Sequence, residues 1–110
     1  MEIKTTSMKR VDRIHISGRL DSSNASELDR EFQDLANLNR YNLVVILSDV
    51  KYMSSAGLRA LVSAQKACKR TGGNLVLVKP SPIVQEVLSL AGLESMFDQY
   101  ADAEEAIGSF

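Results

Sequence analysis

Apolar and polar positions along this chain of 110 residues follow the periods of both strands and helices. Alternation with a period of two is weak over residues 1–8 and clear over Val11–Ser17, with a polar turn at residues 9–10 between them. Two unbroken apolar runs, Leu43–Leu47 and Leu75–Val78, are typical of strands buried on both faces. The pattern therefore predicts a hairpin followed by two buried strands.

The first predicted helix follows the hairpin. Leu28, Phe32 and Leu35 recur at spacings of four and three, which is the apolar stripe of an amphipathic helix. Asn24 and Glu27 have the spacing of a capping box, in which each side chain accepts a hydrogen bond from the backbone N–H of the other residue. We therefore expect Asn24 to cap this helix with its side chain.

The longest predicted helix connects the two buried strands. It is about sixteen residues long and ends at Gly72–Gly73, where glycine allows the left-handed conformation of a C-cap. A strand, a helix and a strand in this order form a βαβ unit with parallel strands. Ser81 before Pro82 predicts a third helix, and Asp102 with Glu105 predicts a short fourth one. The fold class is thus α/β, with a mixed sheet of roughly four to five strands and about four packed helices.

Length and composition indicate one folded domain over residues 1–110. Hydrophobic residues make up 45% and charged residues 25% of the chain, as in ordinary globular proteins. The net charge of −1, with both signs mixed, argues against nucleic acid as a partner. No apolar run approaches the roughly 20 residues that span a bilayer, and the amino terminus lacks a secretory pattern. We therefore expect a cytoplasmic protein without a membrane segment.

The chain has one cysteine and one histidine. Cys68 lies among the apolar residues of its helix, so it is predicted to be buried, and it has no partner for a disulfide. His15 points away from Ile14 and Ile16, towards a polar face, and no partner for it is evident in the sequence. Two such residues are too few for a zinc or transition-metal site. We predict neither a metal nor another cofactor.

The segment between the first buried strand and the longest helix carries the candidate site. Ser54 suits the N-cap, where its hydroxyl accepts a hydrogen bond from a free backbone N–H. Ser55 is then the first helical residue, with its hydroxyl presented to solvent. Gly57 lacks a side chain, so we expect that another chain or a phosphate could approach the backbone there, at the positive end of the helix.

Three interpretations of these serines need no knowledge of relatives. A hydrolase would need a base near Ser55, but the only histidine lies in an early strand and a Gly-x-Ser-x-Gly elbow is absent. A nucleotide site has none of its glycine-rich signatures, which leaves open only a weak contact at the helix end. The simplest interpretation is an ordinary helix cap. The residues alone favour that cap.

The chain resembles the STAS family, the sulphate-transporter and anti-sigma-factor-antagonist domains, and in particular the single-domain bacterial anti-sigma factor antagonists. The resemblance rests on the turn at residues 18–21, on Met53–Leu58, and on Gly72–Gly73 with the strand that follows. The usual family motif is Asp-Ser-Ser/Ala-Gly-Leu. Ser55 takes the place of the serine that a partner kinase phosphorylates, and Ser54 takes the place of the aspartate.

The resemblance implies a switch rather than an enzyme. The unmodified protein would bind an anti-sigma factor that is also a serine kinase, which frees a sigma factor. Phosphorylation of Ser55 would end this binding, and a PP2C-type phosphatase would restore it. The implied partner surface contains Asp21, Ser54, Ser55, Ala56, Gly57 and Arg59. The alternative is a STAS scaffold subunit of a signalling or lipid-transport complex without a switch. The sigma factor and the oligomeric state stay open.

Overall fold

The computed structural model of the protein describes all residues from Met1 to Phe110. Five strands are present: β1 Glu2–Ser7, β2 Asp12–Leu20, β3 Asn42–Met53, β4 Asn74–Val78 and β5 Gln99–Tyr100. Four α-helices are present: α1 Ala25–Asn37, α2 Ser55–Arg70, α3 Pro82–Leu90 and α4 Ala103–Gly108. None of these helices combines the length and the apolar character that crossing a bilayer requires.

The five strands form one mixed sheet in the order β1-β2-β3-β4-β5. The hairpin of β1 and β2 is antiparallel, whereas β2, β3, β4 and β5 are parallel to their neighbours. The parallel pairing of β3 with β4 through α2 confirms the predicted βαβ unit. The carboxyl ends of β2, β3 and β4 therefore point the same way, which is where parallel sheets usually place their sites.

The main core lies between the sheet and helices α1, α2 and α3, and it contains 22 buried residues. A second cluster of five buried residues lies on the opposite face, which we call the outer face, where α4 covers Val44, Val76 and Val78. Alternate side chains of β3 and β4 therefore pack against different helices, so that these two strands are buried on both faces of the sheet. This confirms why the two strands are unbroken apolar runs in the sequence.

Strand β3 is longer than the predicted run Leu43–Leu47, because it continues through Asp49–Met53 to the start of α2. Its register with β2 shifts twice, so that β3 contains two extra residues relative to its partner. Such bulges interrupt the alternation of side chains while pairing continues. Val50 and Met53 both enter the core although they are three positions apart. The sequence pattern fails here because it assumes an unbroken period of two.

The predicted capping box of α1 is wrong. The Asn24 side chain accepts a hydrogen bond from the Asp21 N–H at 2.9 Å and donates one to the Arg19 carbonyl at 2.8 Å. It therefore closes the loop before the helix, and it makes no cap hydrogen bond to the first turn of α1. An asparagine side chain can bond backbone groups that precede it in place of capping the helix, and the spacing of residues does not show which of the two occurs.

Candidate functional site

Ser54 and Ser55 lie where β3 runs directly into α2. The Ser54 N–H donates to the Leu20 carbonyl at 2.9 Å, which extends the pairing of Leu20 with Met53. Ser54 is the N-cap of α2, with its hydroxyl accepting from the Gly57 N–H at 3.5 Å. Ser55 is the first residue of the helix and is exposed. The predicted cap and the predicted exposure of Ser55 are confirmed.

Gly57 has a different role from the predicted one. It is buried, and a Cβ atom at this position would lie 2.6 Å from Leu20 Cγ and 2.9 Å from Leu20 Cδ2. The missing side chain therefore lets the first turn of α2 pack on the last residue of β2. The expectation that Gly57 leaves room for an approaching partner is wrong, because Leu20 fills that room. Gly57 therefore supports the site by allowing this packing.

Asp21 follows Leu20, so the pairing of β2 with β3 brings it to the same edge as Ser54. Its Oδ1 accepts from the Ser23 hydroxyl at 2.6 Å and from the Ser23 N–H at 3.0 Å. These hydrogen bonds hold the pKa of the Asp21 carboxyl below its ordinary value. The site therefore has a fixed negative charge beside Ser54, although no hydrogen bond joins the two residues.

Ala56 and Arg59 line a cleft of about 510 Å³ between α1 and α2. Arg59 is exposed and forms no ion pair. The first turn of α2 contains no acidic residue, and its N-cap is the uncharged Ser54. No acidic side chain of the helix itself therefore offsets the positive end of its dipole, and Arg59 adds a cation one turn along.

The second part of β3, Leu47–Met53, which contains both register shifts and which we call the bulged half, depends on α3 for support. β4 stops pairing with β3 at Ile46 and Val78, so the later residues of β3 lack a strand on that side. Ser81 replaces the missing strand: its hydroxyl donates to the Val50 carbonyl at 2.7 Å and its N–H to the Leu47 carbonyl at 3.3 Å. The helix predicted from Ser81 and Pro82 is confirmed, with Ser81 at the N-cap position, but the Ser81 side chain makes no cap hydrogen bond.

The histidine and the cysteine lie away from this edge. His15 does have a partner, contrary to prediction: its Nε2 lies 2.9 Å from Asp49 Oδ2 on the outer face. Cys68 is buried as predicted, with 1% of its surface exposed, and burial raises the pKa of its thiol to about 11. No three histidine, cysteine or acidic side chains are placed to hold a metal ion. Neither residue can act as a base for Ser55.

Sequence reasoning missed one feature beside the site. The Arg19 guanidinium lies over the Tyr52 ring, 4.2 Å from its centroid, and Arg19 Nε is 3.7 Å from Asp21 Oδ2. Tyr52 is one of the few large hydrophobic side chains left exposed. Arg19 and Tyr52 become neighbours only through the second register shift of β3. No signal in the sequence reveals such a shift.

Together these elements define a small α/β domain that presents a serine at the start of a helix, and they match one family. The model of the STAS domain matches residues 4–106. The chain is 31% identical over 94 residues to the anti-sigma-B factor antagonist of Bacillus subtilis, which covers 86% of this chain and 85% of that protein. The chain belongs to the STAS domain family.

Solved structures agree with this assignment. A candidate anti-sigma factor antagonist from Thermotoga maritima superposes with a TM-score of 0.90 and 26% identity, over 97% of this chain and 92% of that one. The anti-sigma factor antagonist SpoIIAA has the same fold unphosphorylated, with a TM-score of 0.86 and 20% identity over 98% of this chain and 95% of that one. Its phosphorylated form gives 0.80 and 19%, over 98% of both chains. The predicted family and fold class are confirmed.

Proposed function

We propose that residues 1–110 act as one anti-sigma factor antagonist unit, switched by phosphorylation of Ser55. The unphosphorylated form binds an anti-sigma factor that is also a serine kinase, and a sigma factor is released. A PP2C-type phosphatase restores the phosphorylated form to the binding state. The observation that carries this proposal is the exposed Ser55 hydroxyl at the first position of α2, the position to which the motif resemblance assigns the phosphorylated serine.

The physical chemistry of the helix start supports a phosphate on Ser55. Phosphorylation adds roughly 1.5 to 2 negative charges, which the amino end of a helix stabilises. The first turn of α2 has no acidic residue to repel the phosphate, and Arg59 is one turn away. Because Ser54, and not Ser55, makes the cap hydrogen bond, the modified residue is not needed to hold the helix. The fold is then unchanged and only the surface differs.

The loss of binding follows from that surface. Ser55, Arg59 and Asp21 form an exposed or half-exposed edge, with Ala56 and Ser54 between them. A partner that packs on this edge would have to desolvate three anionic oxygens after phosphorylation. Gly57 contributes indirectly, by keeping the first turn of α2 against Leu20. We place this exchange in the cytoplasm and assign the protein a binding role without catalysis of its own.

Intact-mass spectrometry of the protein from its native host tests the switch, before and after treatment with a PP2C-type phosphatase. We expect a phosphate-sized increment that the phosphatase removes and that is absent from Ser55→Ala. Ser22→Ala is the matched control, because Ser22 is an exposed serine in the neighbouring loop. An increment that persists in Ser55→Ala would move the modification to another residue and refute the assignment.

One observation favours a second function, a scaffold subunit that binds its partner constitutively in a signalling or lipid-transport complex. Ser54 keeps the capping role of the family aspartate but lacks its charge, which weakens the case for recognition by a kinase. A protein that carries no phosphate under any growth condition, yet co-purifies with one partner throughout, would support the scaffold and contradict the switch.

A further inference from the structure

We propose that Arg19, Lys51 and Tyr52, which we call the Arg19–Tyr52 patch, extend the docking surface onto the outer face of the sheet and recognise a carboxylate of the anti-sigma factor. This inference rests on the function proposed above and deepens it, because it names further specificity-determining residues and the chemistry that they bind. None of the three residues belongs to the surface predicted from the sequence.

The patch is built by the second register shift between β2 and β3. Gly18 pairs with Val50 and Arg19 pairs with Tyr52, so that Lys51 is the extra residue of β3. The shift places Arg19 and Tyr52 side by side on the outer face, while the next pair enters the core. Bulges commonly re-aim side chains next to functional sites. Here the bulge creates an arginine stacked on an aromatic ring.

The patch adjoins the proposed partner surface. One residue beyond Arg19 and Tyr52 is the core pair of Leu20 and Met53, and one residue beyond that pair are Asp21 and Ser54. At a strand rise of about 3.3 Å per residue, the backbone of the patch is about 7 Å from that of Asp21 and Ser54. A partner that contacts both Asp21 and Ser54 is therefore within reach of the patch.

The exposure of the patch leaves its groups available. The Arg19 side chain is 64% exposed, and its only polar contact is the ion pair with Asp21 at 3.7 Å, which is longer than a hydrogen bond. Tyr52 is 37% exposed although the guanidinium covers one face of its ring. Lys51 is exposed as well. Helix α4 covers only the part of the outer face around Val44, Val76 and Val78.

The chemistry of these groups specifies the partner. A guanidinium that is already stacked loses little freedom on binding, and its free N–H groups match a carboxylate. Cations outnumber acids around this outer face: Lys4, Arg13, Arg19 and Lys51 stand against Glu2 and Asp49, and against Asp21 at the end of β2. The patch therefore complements a negative group rather than a positive one. Arginine and tyrosine are also the residues in which binding energy concentrates at interfaces.

Binding to the purified anti-sigma factor kinases encoded in the host genome tests this inference, with the full unphosphorylated chain and isothermal titration calorimetry. We expect Arg19→Glu and Tyr52→Ala each to weaken binding by about tenfold or more, as hot-spot residues do. Arg13→Glu is the matched control, since Arg13 lies on the same strand and face, about 20 Å from Arg19 at the usual strand rise. We expect it to change affinity less than about twofold. Thermal melts verify that every variant is folded.

The outcomes separate this inference from the proposed function. Wild-type binding that neither Arg19→Glu nor Tyr52→Ala weakens would overturn the patch and leave the antagonist function intact. Equal weakening by Arg13→Glu and Arg19→Glu would also overturn it, because the effect would then be one of net charge. Absence of wild-type binding to every kinase would refute both. If Arg19→Glu is unstable, Arg19→Gln removes the same guanidinium without introducing a charge, and the same weakening is expected.

Discussion

The two halves of β3 differ in how they are held and in what they carry. From Asn42 to Ile46 the strand pairs with β4, and from Leu43 also with β2, in one continuous register, and its residues are buried or half-buried. From Leu47 to Met53 it pairs only with β2, shifts register twice, and exposes four of its seven residues. The regular half supports the core, whereas the bulged half leads into Ser54 and Ser55.

This difference shows how a rigid sheet can present an irregular edge. Backbone groups of β3 beyond the end of β4 still need partners, since a buried carbonyl without a hydrogen bond is costly. Ser81 at the start of α3 provides partners for Leu47 and Val50. The bulged half is therefore fixed by a helix start instead of a strand. Variants that each remove one of these contacts should therefore show different effects on the two halves of β3.

The largest loss of stability should come from a change at Arg40, just before the regular half of β3. The Asp12 side chain is 1% exposed and accepts from Arg40 Nε at 2.7 Å, and Arg40 also donates to the Met8 and Lys9 carbonyls. Arg40→Leu would leave a buried carboxylate unpaired. We expect a loss of about 3 kcal/mol of unfolding free energy, at the lower end for buried pairs because the Arg40 side chain is 26% exposed. Urea denaturation measures it.

The double variant Asp12→Leu/Arg40→Leu is the control for this prediction. It removes the charge together with its partner, so much of the lost stability should return, as for other buried pairs replaced by apolar residues. A double variant as unstable as Arg40→Leu would contradict the argument, because the cost would then come from the lost contacts to Met8 and Lys9. The affinity for the partner should be unchanged in the double variant.

A smaller and local effect is expected from Ser81→Ala, which tests the bulged half. The variant leaves the Val50 carbonyl without its partner, at a cost of about 1–2 kcal/mol. Amide hydrogen exchange should become faster over residues 49–53 and stay unchanged over residues 43–46. Ser89→Ala, an exposed serine at the other end of α3, is the control. Equal acceleration in both halves would show that Ser81 stabilises the whole sheet and not the edge.

The two halves of β3 also differ in how well the sequence predicts them. The regular half is read correctly because burial on both faces produces an unbroken apolar run, and the helix starts at Ser54 and Asp102 are local signals. The bulged half beyond Leu47 is not predicted as strand, because shifts of register depend on a partner strand that is distant in the sequence. For the same reason the contacts of Gly57 with Leu20 and of Arg19 with Tyr52 could not be foreseen.

The smallest effect concerns the loop that places Asp21 beside the bulged half. Hydrogen bonds from Ser23 lower the pKa of Asp21 below 3.8, so this carboxylate stabilises the fold fully above that pH, and the contribution is lost as the pH falls through the folded-state pKa. Ser23→Ala should raise the pKa towards 3.8, as an NMR titration of the carboxyl carbon would measure. Ser22→Ala, whose side chain does not bond Asp21, should leave it unchanged. An Asp21 that titrates identically in wild type and Ser23→Ala would contradict the role of the Ser23 hydroxyl and would instead assign the shift to the backbone N–H of residue 23, which the variant keeps.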